Sequence, residues 1–219
     1  MRDKSKIMIV DDHPIFRMGL AQLINEEDDM FVCAEAETVF EAQKLLAKTG
    51  PDMLIVDISL KDTSGLELIK YMRERKMTTP VLVLSMHEES EYAERAIRAG
   101  AQGFIMKQEM TNNVIRAIRR VLAGRTFVSD DMVDAFVGRL SEKEAEAPQD
   151  PVKKLSNREL EVFGLIGKGV KSSEIAGRLN VSVKTVGTYR ENIKKKLNAK
   201  NSGHLMKMAI EWLKKINRE

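Results

Sequence analysis

The chain has 219 residues, a net charge of +3, 43% hydrophobic residues and a single cysteine. That length holds one large or two modest domains, and the apolar share is enough for a real core. No apolar run reaches the roughly 18 residues that span a bilayer, the N-terminus leads into a strand rather than a signal-peptide core, and Cys33 excludes an intrachain disulfide; a reducing cytoplasm is expected.

Charge divides the sequence. Residues 1–124 carry 17 Lys and Arg against 20 Asp and Glu, residues 125–151 carry 3 against 7, and residues 152–219 carry 16 against 6. The last stretch, at +10, is an electrostatic footprint for polyanions.

Over residues 1–124, strand and helix signals alternate. Short apolar runs mark strands at Lys6–Val10, Met30–Glu35, Met53–Val56, Val81–Leu84 and Gly103–Met106. Helix-period segments lie at about 14–25, 38–48, 65–76, 88–99 and 110–123. Continuous apolar strands with short βα connections imply a parallel sheet covered on both faces, with right-handed crossovers. Residues 125–151 read as a linker. Within it, Ser129 caps an amphipathic helix over about 129–140, and the polar, two-proline stretch 141–151 is the tether. From 152 to 219 only helices are signalled: about 156–166, opened by the capping box Ser156-Asn157-Arg158-Glu159, then 172–179, 182–197 and 202–216.

Five polar residues fall at or just past the C-terminal ends of those strands: Asp11, Asp12, Asp57, Ser85 and Lys107. In an open α/β sheet those ends share one edge, where ligands bind. Three carboxylates, a hydroxyl and an ammonium are the inventory needed to hold a divalent cation and take a phosphoryl group onto a carboxylate. Asp57 would be nucleophile and ligand. Asp11 and Asp12 supply Mg²⁺ ligands directly or through water. Ser85 and Lys107 meet phosphoryl oxygens.

These residues carry a resemblance. Ile9-Val10-Asp11-Asp12-His13-Pro14, Asp57 with Gly65 downstream, Leu84-Ser85 and Phe104-Ile105-Met106-Lys107 resemble the receiver domain of two-component response regulators, a flavodoxin-like (βα)5 fold. The resemblance implies that Asp57 accepts a phosphoryl group from a sensor histidine kinase. It implies that Asp12, Asp57 and the backbone carbonyl of Ser59 hold Mg²⁺, and that Ser85 and Phe104 form a switch pair. Ser59 and His87 occupy positions that tune phosphoryl lifetime. The sequence departs from the pattern at Leu60-Lys61, where Met-Pro is frequent, and at Gln108, where the family usually has proline, often after a cis bond.

The basic stretch has helix-turn-helix spacing. Ile175, Ala176 and Leu179 pack inward from the first helix, and Val183, Val186, Ile193 and Leu197 from the second. Lys184, Gly187, Thr188, Glu191 and Lys195 then face outward. Lys184, Arg190, Lys194, Lys195 and Lys196 are candidate phosphate partners. Leu155-Ser156-Asn157-Arg158-Glu159, Glu174-Ile175-Ala176, Val183-Lys184-Thr185-Val186 and Ile193-Lys194-Lys195-Lys196-Leu197 resemble the LuxR-type four-helix DNA-binding domain, and with the receiver they place the chain near the NarL/FixJ group. By that resemblance 182–197 is the recognition helix, and Thr185, Tyr189 and Lys196 contact the DNA backbone or support the fold. Glu191 either accepts from cytosine N4 or repels phosphate.

Together these imply a phosphorylation-controlled transcription factor, not an enzyme with external turnover. Promoter DNA, RNA polymerase and a second copy of the phosphorylated chain are its expected partners. The competing reading is a phosphorylation-independent DNA-binding regulator whose receiver only dimerises.

Overall fold

The computed structural model describes residues 4–60, 63–86, 89–129, 133 and 151–216. His87 and most of the helix expected over 129–140, with its tether, lie outside the described residues. Two compact units divide the chain, Met1–Ser141 and Glu142–Glu219.

The first unit is a five-stranded parallel sheet in the order β2-β1-β3-β4-β5. Its strands are β1 (Ser5–Val10), β2 (Met30–Ala36), β3 (Met53–Asp57), β4 (Val81–Ser85) and β5 (Gly103–Met106). Its helices are α1 (Pro14–Asn25), α2 (Val39–Thr49), α3 (Gly65–Glu74), α4 (Glu89–Ala99) and α5 (Met110–Leu122). Every residue of β3 and β4 is buried. The edge strand β2 is half-exposed along most of its length. Uninterrupted apolar runs therefore mark strands covered on both faces, as the flavodoxin-like reading requires.

Local chemistry sets the boundaries. Pro14 opens α1, where its missing N–H costs nothing. Thr38 caps α2 by accepting from Glu41 N, and Gly50 ends it in the left-handed conformation. Arg73 reaches from α3 to the carbonyls of Thr79 and Gly100 at 3.2 and 2.8 Å, tying two loops beneath the sheet. Beyond α5 the chain returns to the edge of β5. Phe104 N donates to Phe127 O at 2.8 Å, and Phe127 N to Gln102 O at 3.0 Å.

Parallel register brings the strand ends level. Val10 pairs with Val56, Asp57 with Leu84 and Ser85 with Met106. Asp11, Asp57, Ser85 and Lys107 thus meet at one edge, though up to 96 positions separate them in sequence.

Among its described residues the second unit holds four α-helices: α6 (Asn157–Gly167), α7 (Ser172–Arg178), α8 (Val183–Leu197) and α9 (Ser202–Ile216). The Ser156–Glu159 capping box is complete at the start of α6. Leu160, Phe163, Ile175, Val186, Ile193, Leu197, Leu205 and Ala209 form its buried core. Phe163 and Trp212 meet with ring centroids 5.4 Å apart and planes tilted by 47°, so the apolar side of α9 packs on α6.

Candidate functional site

Asp57 is the last residue of β3 and is fully enclosed. Ser59 N donates to its Oδ1 at 3.2 Å, and Lys107 Nζ donates to its Oδ2 at 2.7 Å. Lys107 Nζ also stands 2.7 Å from Asp11 Oδ2. It lies 4.2 Å from the centroid of Phe16, a cation–π contact. Burial pushes the Asp57 carboxyl up to about 6; Lys107 pulls it down and Asp11 adds to the rise.

Neighbouring elements hold this cluster rigid. Arg17 Nη1 donates to Asp11 O at 2.6 Å, while its Nε and Nη2 pair with Glu35 and Glu37 at 3.1 and 2.9 Å. Ser64 caps α3, and Gly65 N donates to Ile58 O at 2.8 Å. Gly65 lies so close to β3 that a Cβ there would fall 2.0 Å from Asp57 O. Only glycine permits this approach of the helix to the phosphoacceptor strand.

Lys107 begins a single 3₁₀ turn, Lys107–Glu109, that runs into α5. Proline at 108 would disfavour helical geometry for the residue before it. Gln108 allows Lys107 to enter the turn, and no cis peptide occurs among the described residues.

His13 follows the acidic pair and is the N-cap residue of α1. Its Nδ1 is 2.8 Å from Asp12 Oδ1, 3.3 Å from Asp11 Oδ1 and 3.8 Å from Asp57 Oδ2. Asp11 Oδ2 and Asp12 Oδ1 are buried and accept no hydrogen bond; their close approaches to Lys107 and His13 are ion-pair distances without hydrogen-bond geometry. Buried anionic oxygens of this kind are costly unless a cation meets them. The donor set of Asp11, Asp12 and Asp57 fits a hard divalent cation such as Mg²⁺. Ser85 and Phe104 are both fully buried, Ser85 at the end of β4 beside Asp57 and Phe104 inside β5.

In the second unit, Ser182 caps α8 through Thr185 N at 3.0 Å. Asn180 takes a positive φ of 51° in the turn before it. Lys184, Gly187, Thr188, Glu191 and Lys195 are exposed, as their spacing implies. Thr185, Tyr189, Arg190 and Lys194 are half-buried. Val183 is the correction: it is 54% exposed, because the first turn of α8 projects past the core that Val186 reaches. Two candidate phosphate partners are engaged within the domain. Lys194 pairs with Glu191 at 2.7 Å, and Lys196 with the buried Glu159 at 2.6 Å. Glu159 also accepts from Ser156 N at 2.7 Å. Burial raises its carboxyl, but the hydrogen bonds from Lys196 and Ser156 outweigh that and hold it below its ordinary value. Glu159 thus joins the start of α6 to the end of α8.

Residues 7–119 match the response regulator receiver domain, and residues 153–209 match the bacterial regulatory proteins of the luxR family. The chain belongs to the two-component response regulators. It is 36% identical over 211 residues to the oxygen regulatory protein NreC of Staphylococcus epidermidis, covering 94% of this chain and 97% of that one. The protein of the same name from Staphylococcus carnosus is 36% identical over 210 residues, with the same coverage. Among solved structures, a LuxR-family two-component response regulator from Aurantimonas is 34% identical with a TM-score of 0.59, covering 64% of this chain and all of that one. RcsB of Salmonella enterica serovar Typhimurium, solved on promoter rprA with a phosphomimetic, is 25% identical with a TM-score of 0.59 over 94% of this chain and 98% of that one. This response regulator therefore pairs a receiver with a LuxR-type helix-turn-helix and falls among transcription regulators. No helix among the described residues is long and apolar enough to cross a membrane.

Proposed function

We propose that this regulator binds promoter DNA under control of phosphorylation at Asp57, with a sensor histidine kinase as donor and a cytoplasmic site of action. The observation that carries the reading is the enclosed contact of Asp57 with Lys107, whose ammonium Asp11 shares at 2.7 Å, beside a buried Asp12 oxygen with no hydrogen-bond partner. Such a cluster is expensive to bury and has no evident structural purpose in a sheet edge that hydrophobic residues could fill.

In the transfer, an Asp57 carboxylate oxygen attacks phosphorus, the bond from phosphorus to the donor breaks, and the donor's imidazole departs with the bonding pair. Ser59 N holds one carboxylate oxygen and so orients the other. Lys107 moves its contact from carboxylate to phosphoryl oxygen and neutralises the charge that accumulates there. Asp11, Asp12, Asp57 and the Ser59 carbonyl would hold Mg²⁺, which would add to the charge neutralisation there. Ser85 moves toward the phosphoryl group, its hydroxyl donating to an oxygen there, and Phe104 follows. A receiver with two states changes population only because the phosphorylated pocket stabilises one of them more than the other.

The response is promoter occupancy by a homodimer. Lys184, Thr188, Arg190 and Lys195 meet phosphates, Gly187 and Glu191 lie toward the bases, Thr185 and Tyr189 brace α8, and RNA polymerase is the downstream partner. Duplex binding with and without acetyl phosphate tests this in wild type and Asp57→Asn. Phosphodonor is expected to tighten binding in wild type alone. Equal binding in all four samples would favour a receiver that dimerises without phosphorylation.

A further inference from the structure

We infer that His13 is itself a ligand of the cation site, so that the pocket takes a borderline first-row divalent cation (the Fe²⁺, Co²⁺, Ni²⁺, Zn²⁺ class) as well as Mg²⁺. The inference rests on the reading of the acidic pocket as a cation site and deepens it.

The geometry is the first support. Ligand atoms about 2.1 Å from one octahedral ion stand roughly 2.9 to 4.2 Å apart. His13 Nδ1 lies 2.8, 3.3 and 3.8 Å from oxygens of Asp12, Asp11 and Asp57. Ligand atoms of all four residues lie within 4.8 Å of one another.

The second support is what the nearest of these contacts is not. Nitrogen and oxygen at 2.8 Å would ordinarily share a proton, yet Asp12 Oδ1 is buried with no hydrogen-bond partner. Asp12 Oδ1 is thus a buried carboxylate oxygen left for a cation to meet. The imidazole makes one local contact, a hydrogen bond of 3.3 Å between Nδ1 and Asp11 Oδ1, which a bound cation would replace. His13 is the N-cap residue of α1, but its side chain makes no cap hydrogen bond. Its backbone N donates to Asp11 Oδ1 at 2.9 Å, so the loop that places the ring also orients one of the carboxylates. The ring is 58% exposed, which sets it at the mouth of the pocket, where a hydrated ion enters.

The chemistry follows from the donor. Carboxylate, carbonyl and water suit Mg²⁺, whereas an imidazole nitrogen favours the borderline transition ions. An all-oxygen site gains nothing in that selectivity; His13 supplies it.

The test uses the full chain, stripped of divalent cations and titrated separately with Co²⁺ and Mg²⁺ by calorimetry, with the visible spectrum of the Co²⁺ complex recorded. Wild type, His13→Ala and His13→Asn are compared. Neither substitution removes a cap or a buried group, so both are expected to fold. The expected result is a loss of Co²⁺ affinity of about tenfold or more in both variants, a shifted Co²⁺ absorption band, and unchanged Mg²⁺ affinity. Co²⁺ affinity and spectrum identical to wild type in both variants would overturn the role of His13 while leaving the Mg²⁺ pocket intact. Failure of wild type to bind either ion would overturn the pocket reading itself.

Discussion

Lys107 Nζ donates to Asp57 Oδ2 at 2.7 Å across 50 residues of sequence, from the end of one strand to the end of another. A second carboxylate, Asp11, shares the ammonium at the same distance. One cation between two enclosed acids leaves the pocket short of positive charge, and the behaviour of the receiver follows from that deficit.

Without divalent cations, Asp57→Asn is expected to raise the melting temperature at pH 7.5 by several degrees. The Asp57 carboxyl is pushed up to about 6, above its ordinary 3.8. The folded state therefore holds its proton more tightly than the unfolded chain does. The stability this lends is present in full below about 4 and is lost as pH rises through about 6. The gap between variant and wild type should widen from pH 4 to pH 7 and shrink when Mg²⁺ is added. A gap that ignores pH would show that burial does not penalise this carboxylate.

Gly65→Ala is expected to destabilise the receiver by about 1–3 kcal/mol or more, since its Cβ would fall 2.0 Å from Asp57 O. Urea denaturation measures the loss. Acetyl phosphate labelling should slow as well, because the displaced backbone carries the nucleophile.

Gly187→Ala should do the opposite. No atom lies within 4 Å of a Cβ built at Gly187, so the exchange is expected to stabilise α8 by about 1 kcal/mol. Weaker duplex binding by this more stable variant would show that the glycine serves close approach to DNA. Unchanged binding would show that it serves neither end.

Lys195 and Lys196 are adjacent but are expected to differ. Lys195→Ala should leave stability within about 0.5 kcal/mol and lower the salt dependence of DNA binding by about one unit of slope. Lys196→Ala strands the buried Glu159 carboxylate and should cost about 1–3 kcal/mol of stability. Thermal melts and salt titrations of both variants decide this.

The sequence carried most of the frame. Strands β3 and β4 are legible because both their faces are covered, which leaves a continuous apolar run ending in a polar residue: Asp57 and Ser85 are those residues. Parallel register then brings Asp11 and Lys107 to the same edge. What was hidden depends on distances that no periodicity encodes. The contact of Phe16 with Lys107 and the pairing of Lys196 with Glu159 join elements far apart in the chain, and the approach of Gly65 to Asp57 is a matter of how closely two consecutive elements pack. The approach of His13 to three carboxylates was not legible, because a loop histidine follows no periodicity and only the acidic pair before it hints at its surroundings. Val183 was misplaced because helical spacing gives a face but not how far the core extends along it.

Phosphorylation at Asp57 is proposed to switch the protein between two states. The most direct measurement is intact mass together with solution size, after incubation with Mg²⁺ and acetyl phosphate. A single phosphoryl addition with a shift from monomer to dimer is expected in wild type, and neither in Asp57→Asn. A folded wild type that gains no mass from acetyl phosphate or from a histidine kinase, or that gains it equally in Asp57→Asn, would contradict the account.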